Sequence, residues 1–191
     1  VTVTDGNGCN GSDEINVTFL ETLDVIVSSL IAPESKCYDG EEQPVTVELT
    51  NRGTKTFTSG ESLTVGYKLG SASAVTENHT FTSSLAPNAT TQHNFSSGVT
   101  LSTGDFTFKG FTTIEGKTGD TTSFAVSIYE HPNLNLGPDT IKKSLPYVLQ
   151  SGIGNVTYSW NTGATGASIT VNEHGKYWLT VTDANGCVAS D

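Results

Sequence analysis

Oxygen-bearing side chains recur at one spacing near both ends of the chain: Asp5, Asn7 and Asp13, and again Asp183, Asn185 and Asp191. Carboxylates and an amide spaced in this way resemble part of a calcium loop, in which hard oxygen ligands are collected from a short stretch of backbone. A full loop of the EF-hand type needs a third early oxygen ligand and a closing Glu as well, and neither is present. Asp139, in LGPDT (136–140), is the residue that would join Asp183, Asn185 and Asp191 across a sandwich to complete a calcium set. The other reading is local. Asp-Gly-Asn-Gly and Asp-Ala-Asn-Gly are tight-turn sequences, where Asn and Gly accept positive φ. The turn is the primary reading, calcium is carried as an expectation to check, and no other cofactor is expected.

No constellation reads as catalytic. His79, His93, His131 and His174 stand in polar turn or strand contexts without metal-ligand spacing, and HExxH, GxSxG and phosphate-loop motifs are absent. The carboxylates of GEE (40–42) and Asp105 lie in turn-like segments, with no apolar pocket to raise a pKa for glycosidase work. No Cys stands with a His as nucleophile and base. The chain is therefore expected not to be an enzyme.

The elements that must carry these residues are strands. Gly, Asn, Thr, Ser and Val dominate, only 15% of residues are charged, and there is no Met. Thr and Val favour half-buried strands, while Gly, Asn and Asp supply turns. No window shows sustained helical apolar spacing, so the expected class is all-β. The formal charge of −11, with nine Lys and Arg scattered along the chain, excludes a phosphate-binding face and hence nucleic acid. No apolar run approaches the roughly 20 residues of a membrane span. Six N-x-S/T sequons occur, at Asn10, Asn16, Asn78, Asn88, Asn94 and Asn155.

One repeat orders the whole. LTVTDANGC (179–187) returns as VTVTDGNGC (1–9), with seven of nine positions identical at an offset of 178. Self-similarity of this kind indicates a tandem array, of which the chain would hold about one period. Residues 1–20 then read as the C-terminal strands of a preceding Ig-like repeat: VTVT, and EINVTFL with Ile15, Val17 and Phe19 inward. By the same offset Asp13 matches Asp191, so a final strand equivalent to EINVTFL is expected to be missing after Asp191. Residues 21–130 hold seven candidate strands: 23–31, 45–51, 62–69, 74–81, 90–95, 105–114 and 122–130. That pattern, with turn signals such as NRGT (51–54) between strands, is that of an Ig-like sandwich. His-Pro-Asn (131–133) marks a boundary, and 131–191 read as a smaller Ig-like repeat lacking its last strand. Trp160 and Tyr177 are expected in its core. The fold class is thus tandem Ig-like antiparallel β-sandwich domains.

Three segments then carry a family resemblance. LGPDT (136–140), YSWNTGAT (158–165) and GKYWLTVTDANGC (175–187) resemble the Ig-like repeats of Bacteroidota cell-surface proteins, namely gliding-motility adhesins of the SprB type and other type IX-secreted repeat adhesins. LIAPESKCYDGEEQPVTVELTNRGT (30–54) is similar to the adhesion-related sandwich domains that alternate with them. The resemblance implies an extracellular stalk or adhesive module at the cell surface. It also implies D-T/S-x glycan attachment, which would fall on Thr121 and Thr140. Such repeats usually carry a Cys soon after the LGPDT-like segment; here that place reads IKKS (141–144).

Cys187 therefore needs another partner. In an Ig-like sandwich the turn before the last strand and the first inter-strand loop lie at opposite ends. Cys187 would face back to the middle domain, and Cys37 forward, so that the two could bridge the junction if their Cα atoms lie within about 7 Å. Cys9 would then pair with a Cys37 equivalent outside this stretch. Three free thiols, or a Cys9–Cys37 pair, are the alternatives. An odd cysteine count with a junction bridge suits an oxidising extracellular setting.

The expected function is a non-enzymatic structural or adhesive module of a long surface adhesin or filament. Its partners would be neighbouring repeats or copies of itself, and surface glycans. One alternative is a carbohydrate-binding module, which needs exposed aromatics; Tyr67, Phe106, Phe108 and Phe111 mostly alternate as core residues do. Another is a filament subunit that lends EINVTFL to the next copy.

Overall fold

The computed structural model describes residues 1–18, 20–140 and 143–191, and every regular element among them is a strand. The first two, β1 (Thr2–Thr4) and β2 (Asn10–Ser12), form an exposed antiparallel hairpin. Eleven more lie between residues 25 and 129: β3 (Val25–Ala32), β4 (Lys36–Cys37), β5 (Glu42–Gln43), β6 (Thr46–Asn51), β7 (Ser62–Leu69), β8 (Val75–Thr80), β9 (Thr90–Asn94), β10 (Val99–Thr100), β11 (Gly104–Ile114), β12 (Lys117–Thr118) and β13 (Thr122–Tyr129). The last five are β14 (Tyr147–Gln150), β15 (Thr157–Trp160), β16 (Ser168–Val171), β17 (Leu179–Thr182) and β18 (Val188–Ser190).

The larger body is a β-sandwich. One sheet runs β3-β6-β9; the other runs β4-β13-β11-β7-β8, with β12 beside β11. Period-two alternation explains the layering, because successive strand side chains point to opposite faces. Val47 and Leu49 in β6, Leu63, Val65 and Tyr67 in β7, Phe108 in β11, and Val126 and Ile128 in β13 all turn into one core. The sheets approach closely where β11 crosses β3. A Cβ on Gly110 would lie 2.6 Å from Cγ1 of Val27, so glycine is required there. Asn51 is fully buried at the end of β6. Its amide nitrogen donates to the carbonyls of Lys55 (2.7 Å) and Leu85 (3.0 Å), and its Oδ1 accepts from Gly53 N (3.0 Å). A buried side-chain amide with three bonds fixes the adjoining loops rather than weakening the core.

The smaller body pairs β14 with β16 and orders β15-β17-β18. Its enclosed core is Trp160, Leu179 and Val181, ringed by half-buried Leu136, Leu149, Tyr158 and Ile169. Trp160 Nε1 donates to Gly166 O at 2.8 Å, and the Tyr158 hydroxyl to Ile153 O at 2.7 Å, so both polar tips are satisfied.

Two expectations are corrected, on EINVTFL and on Tyr177. EINVTFL forms no strand: the partner of β1 is Asn10–Ser12, Ile15 and Val17 are 85% and 68% exposed, and Phe19 lies outside the described residues. Alternation makes a strand only where a second strand supplies a ladder, and none flanks this segment among the described residues. In the smaller body β18 pairs with β17 from Thr182↔Val188 to Thr180↔Ser190, and so takes the place that β2 holds in the first hairpin. Tyr177 is half-buried rather than enclosed, and the neighbouring Trp178 is 52% exposed. Residues 134–136 form no strand, although Leu134 and Leu136 pack against the smaller core.

Candidate functional site

The residues singled out by spacing meet at two places: the junction between the bodies, and a groove on the smaller one. The junction begins with a turn. Asp183 Oδ1 accepts from the backbone N–H of Asn185 (2.9 Å) and of Cys187 (2.8 Å), which closes the loop between β17 and β18. Asp5 repeats this, accepting from Asn7 (2.9 Å) and Cys9 (2.9 Å). Gly8 and Gly186 sit at φ 81° and 84°, where a side chain would be strained. The pairings Thr2↔Ser12 and Thr180↔Ser190 differ by the same offset of 178, so the sequence repeat is a repeat of backbone register.

The turn presents Cys187, 1% exposed, to Cys37 of the larger body. The two are joined as a disulfide with a Cα–Cα distance of 5.5 Å across a sequence separation of 150. Cys37 is held from its own side by parallel pairing of β4 with β13, Tyr129↔Cys37, and by Tyr38 N donating to Tyr129 O at 2.8 Å. Lys36 and Asp39 form an ion pair beside it, and the lysine's hydrogen bond holds the Asp39 carboxyl below its ordinary range. His131 fills the remaining space. Its Nδ1 lies 2.7 Å from Val188 O and its Nε2 2.9 Å from Tyr38 O, so one imidazole touches the residue after each cysteine. A neutral ring donates to one of these carbonyls and the imidazolium donates to both. Cys9 is exposed and free.

The proposed calcium residues are not brought together. Asp183 and Asn185 serve the turn at one end of the β17–β18 hairpin. Asp191 stands at the other end, where its Oδ2 accepts from Leu136 N at 2.5 Å. Asp139 lines a groove with Asp191. Among the described residues no group of three or more His, Cys, Asp or Glu is placed to hold a metal ion. Thr121 and Thr140 are exposed, as are all six sequon asparagines.

The groove, about 430 Å³, opens between the β14–β16 pair and the segment leading into β17, and carries Tyr147, Leu149, Val171, Tyr177 and Trp178. Its exposed aromatic is Trp178. Tyr67 and Phe108 are buried in the larger core, and Phe106 and Phe111 are half-buried.

Sequence reasoning missed a third feature. His79 and His93 are 9% and 7% exposed, not in polar surroundings, and their Nδ1 atoms lie 3.3 Å apart between the two sheets. Glu77 Oε2 stands 3.4 Å from His93 Nε2. Burial pushes both imidazoles below their ordinary value; for His93 the Glu77 charge opposes this. The ordinary, unfolded value is about 6.5. Below it the unfolded chain binds protons that the folded pair resists, so stability is complete above about pH 7 and falls as pH drops through 6.5. The thermal midpoint is expected to fall by several degrees between pH 7.5 and pH 5, above the range where the lowered carboxyls of Glu77 and Asp39 matter. Calorimetry across that interval checks this, and a flat profile would contradict a neutral buried pair.

The chain matches no protein-family model and shows no significant match to a curated protein.

Proposed function

We propose that this chain is a non-enzymatic structural and adhesive module of a long, repetitive extracellular surface protein, built of tandem Ig-like sandwiches. The observation that carries the reading is the repeated hairpin, with the same register and the same Asp-centred turn at an offset of 178, tied at its second occurrence to the preceding body by Cys37–Cys187. A module that repeats its own terminus and cross-links to its neighbour suits a stalk whose bending is restricted at each joint. The parallel pairing of β4 with the last strand of its sheet supports the Ig-like assignment of the larger body. In such an array Cys9 occupies the place of Cys187, and its partner would be a Cys37 equivalent of the adjoining repeat. The disulfide supports an oxidising, extracellular location. The resemblance to gliding-motility and other type IX-secreted adhesins gives the setting, with weak contacts through exposed loops multiplied along the array.

Antibody against this chain should label intact cells of the source organism, and brief external protease treatment should remove the signal. Labelling that appears only after lysis would reject the surface location.

A further inference from the structure

Away from the junction and the groove, the larger body carries a charge arrangement that its core does not require. In the sheet of β7, β8, β11 and β13, residues of one phase fill the core: Val65 and Tyr67 of β7, Phe108 of β11 and Val126 of β13. Alternation puts the other phase on the outer face. There the register sets Lys68 directly opposite Lys109, both exposed, and Gly66 opposite Phe111 two residues along. Side chains so paired have Cβ atoms about 4.5–5.5 Å apart, and like charges at that spacing cost stability. No carboxylate relieves them. Their neighbours along and across the ladder are Gly66, Gly70, Thr107, Phe111 and Ser123, and among the described residues neither lysine forms an ion pair. Asp105 lies four residues further along β11, about 13 Å at roughly 3.3 Å per residue. Its carboxylate already accepts from Ser127 Oγ at 2.6 Å. In a chain with 20 Asp and Glu against nine Lys and Arg, the site is a local reversal of the net field. Screening over about 10 Å keeps the surrounding negative charge from cancelling it for a ligand in contact.

Phe111 supplies the second element. It has the opposite phase to Phe106 and Phe108, is half-buried, and takes no part in the larger core. Its ring lies against Gly66, where a Cβ would meet Cζ at 2.5 Å and Cε2 at 2.8 Å, so the glycine leaves the space that the ring occupies. The rest of the face is short and polar, with Thr76, Asn78, Thr107 and Ser123 all exposed. A second protein finds almost no apolar area to bury here, and the centre of a protein–protein interface needs such area. A sugar finds what it uses. The negative face of an aromatic ring attracts its C–H groups, and hydroxyls and an amide hydrogen-bond its own hydroxyls. Two adjacent ammonium groups suit a carboxylate, through charge-assisted hydrogen bonds. We propose that this outer face binds an acidic polysaccharide, with a uronate carboxylate between Lys68 and Lys109 and a sugar ring against Phe111. The ligand's charge then relieves the like-charge pair. The inference rests on the adhesive reading above for its setting and gives that adhesion a ligand class. Along an array, weak single sites add by multiplicity.

The test follows the 191-residue chain through native gels cast with polygalacturonate, with dextran gels as the neutral reference. Wild type is expected to be retarded by polygalacturonate, more strongly at low salt, and not by dextran. K68E turns the like-charge pair into an opposite-charge one. Its thermal midpoint should therefore hold or rise, while retardation weakens about tenfold or more. K117E makes the same change of net charge outside the site and should be retarded as wild type is. F111S should weaken binding by a factor that salt does not alter. Equal retardation by dextran, retardation by neither polymer, equal losses in K68E and K117E, or F111S bound as tightly as wild type would overturn the proposal. So would self-association of wild type in ultracentrifugation that K68E abolishes, because a second copy would then occupy the face. Failure here with intact-cell labelling preserved removes this ligand and leaves the surface location standing, whereas loss of labelling strikes the proposed function and not the lysine pair.

Discussion

A C37S/C187S chain is expected to keep both sandwiches while losing their fixed docking, and its calorimetric trace should separate into two transitions where the wild type's are coupled. The disulfide closes a loop spanning 150 positions. In the chain-entropy treatment, closing a loop of that length restricts the unfolded state by about 5 kcal/mol at 25 °C. Part of that restriction acts on the smaller body, because Cys187 sits in the turn of its β17–β18 hairpin. Among the described residues the hydrogen bonds that remain at the junction are those of His131 to Tyr38 O and Val188 O, too few to hold the bodies rigidly. The smaller body should therefore melt first and at a lower temperature than in the oxidised wild type, and wild type with reductant should behave like the variant. An unchanged single transition in C37S/C187S would show that the bodies are docked by something other than this bond.

Trp160→Ala should unfold the smaller body at ordinary temperature and leave the larger one folded. Trp160 is 2% exposed and is the largest side chain of a core whose other enclosed residues are Leu179 and Val181. Removing a buried indole costs about 3–5 kcal/mol through lost burial and the cavity left behind. It also leaves Gly166 O without its donor. A body of roughly 60 residues has a net stability of about the same size, so the loss is not absorbed. In a two-dimensional NMR spectrum the resonances of residues 134–191 should collapse to random-coil positions while those of 25–129 stay dispersed. Trp178→Ala is the control: its ring is half in solvent, and the change should stay within about 0.5 kcal/mol. Equal effects of the two substitutions would refute the assignment of Trp160 as the core of the smaller body.

What the sequence made legible was local. The alternation in VTVELTN and SLTVGYKL yields β6 and β7 with their apolar faces inward, because period two needs no knowledge of the partner. The repeated TVTD…NGC yields two hairpins of one register, since turn chemistry and alternation are both local. Where a partner decides the outcome, the sequence was silent. EINVTFL alternates as well as β6 does, yet its described residues form no strand and Ile15 and Val17 stay exposed, with no ladder reaching them among the described residues. Tyr177 has the inward phase of Leu179 and Val181, but the body opens into the groove at that point. His79 and His93 meet because β8 and β9 lie at the edges of opposing sheets, a contact that neither strand's own pattern encodes. The β4–β13 pairing that seats Cys37 is parallel and formed by two residues of β4, too short for any periodicity to reveal.

The bond between Cys37 and Cys187 also decides which parts of the molecule can feel a pull. Tension applied at Val1 and Asp191 runs along the backbone to Cys37, crosses the two sulfur atoms, and continues from Cys187 to the end. Residues 38–186, which hold nearly all of the smaller sandwich and most of the larger, hang as a closed loop outside that path. Fully stretched, the covalent path in line is about 140 Å instead of the about 650 Å of the open chain, at roughly 3.4 Å per residue. With the bond intact, a tethered chain therefore carries force past the smaller core and past β6–β13 of the larger one, with β3 and β4 the strands of the larger sandwich left in line, and reduction would put the whole polypeptide in the path as a long, yielding link.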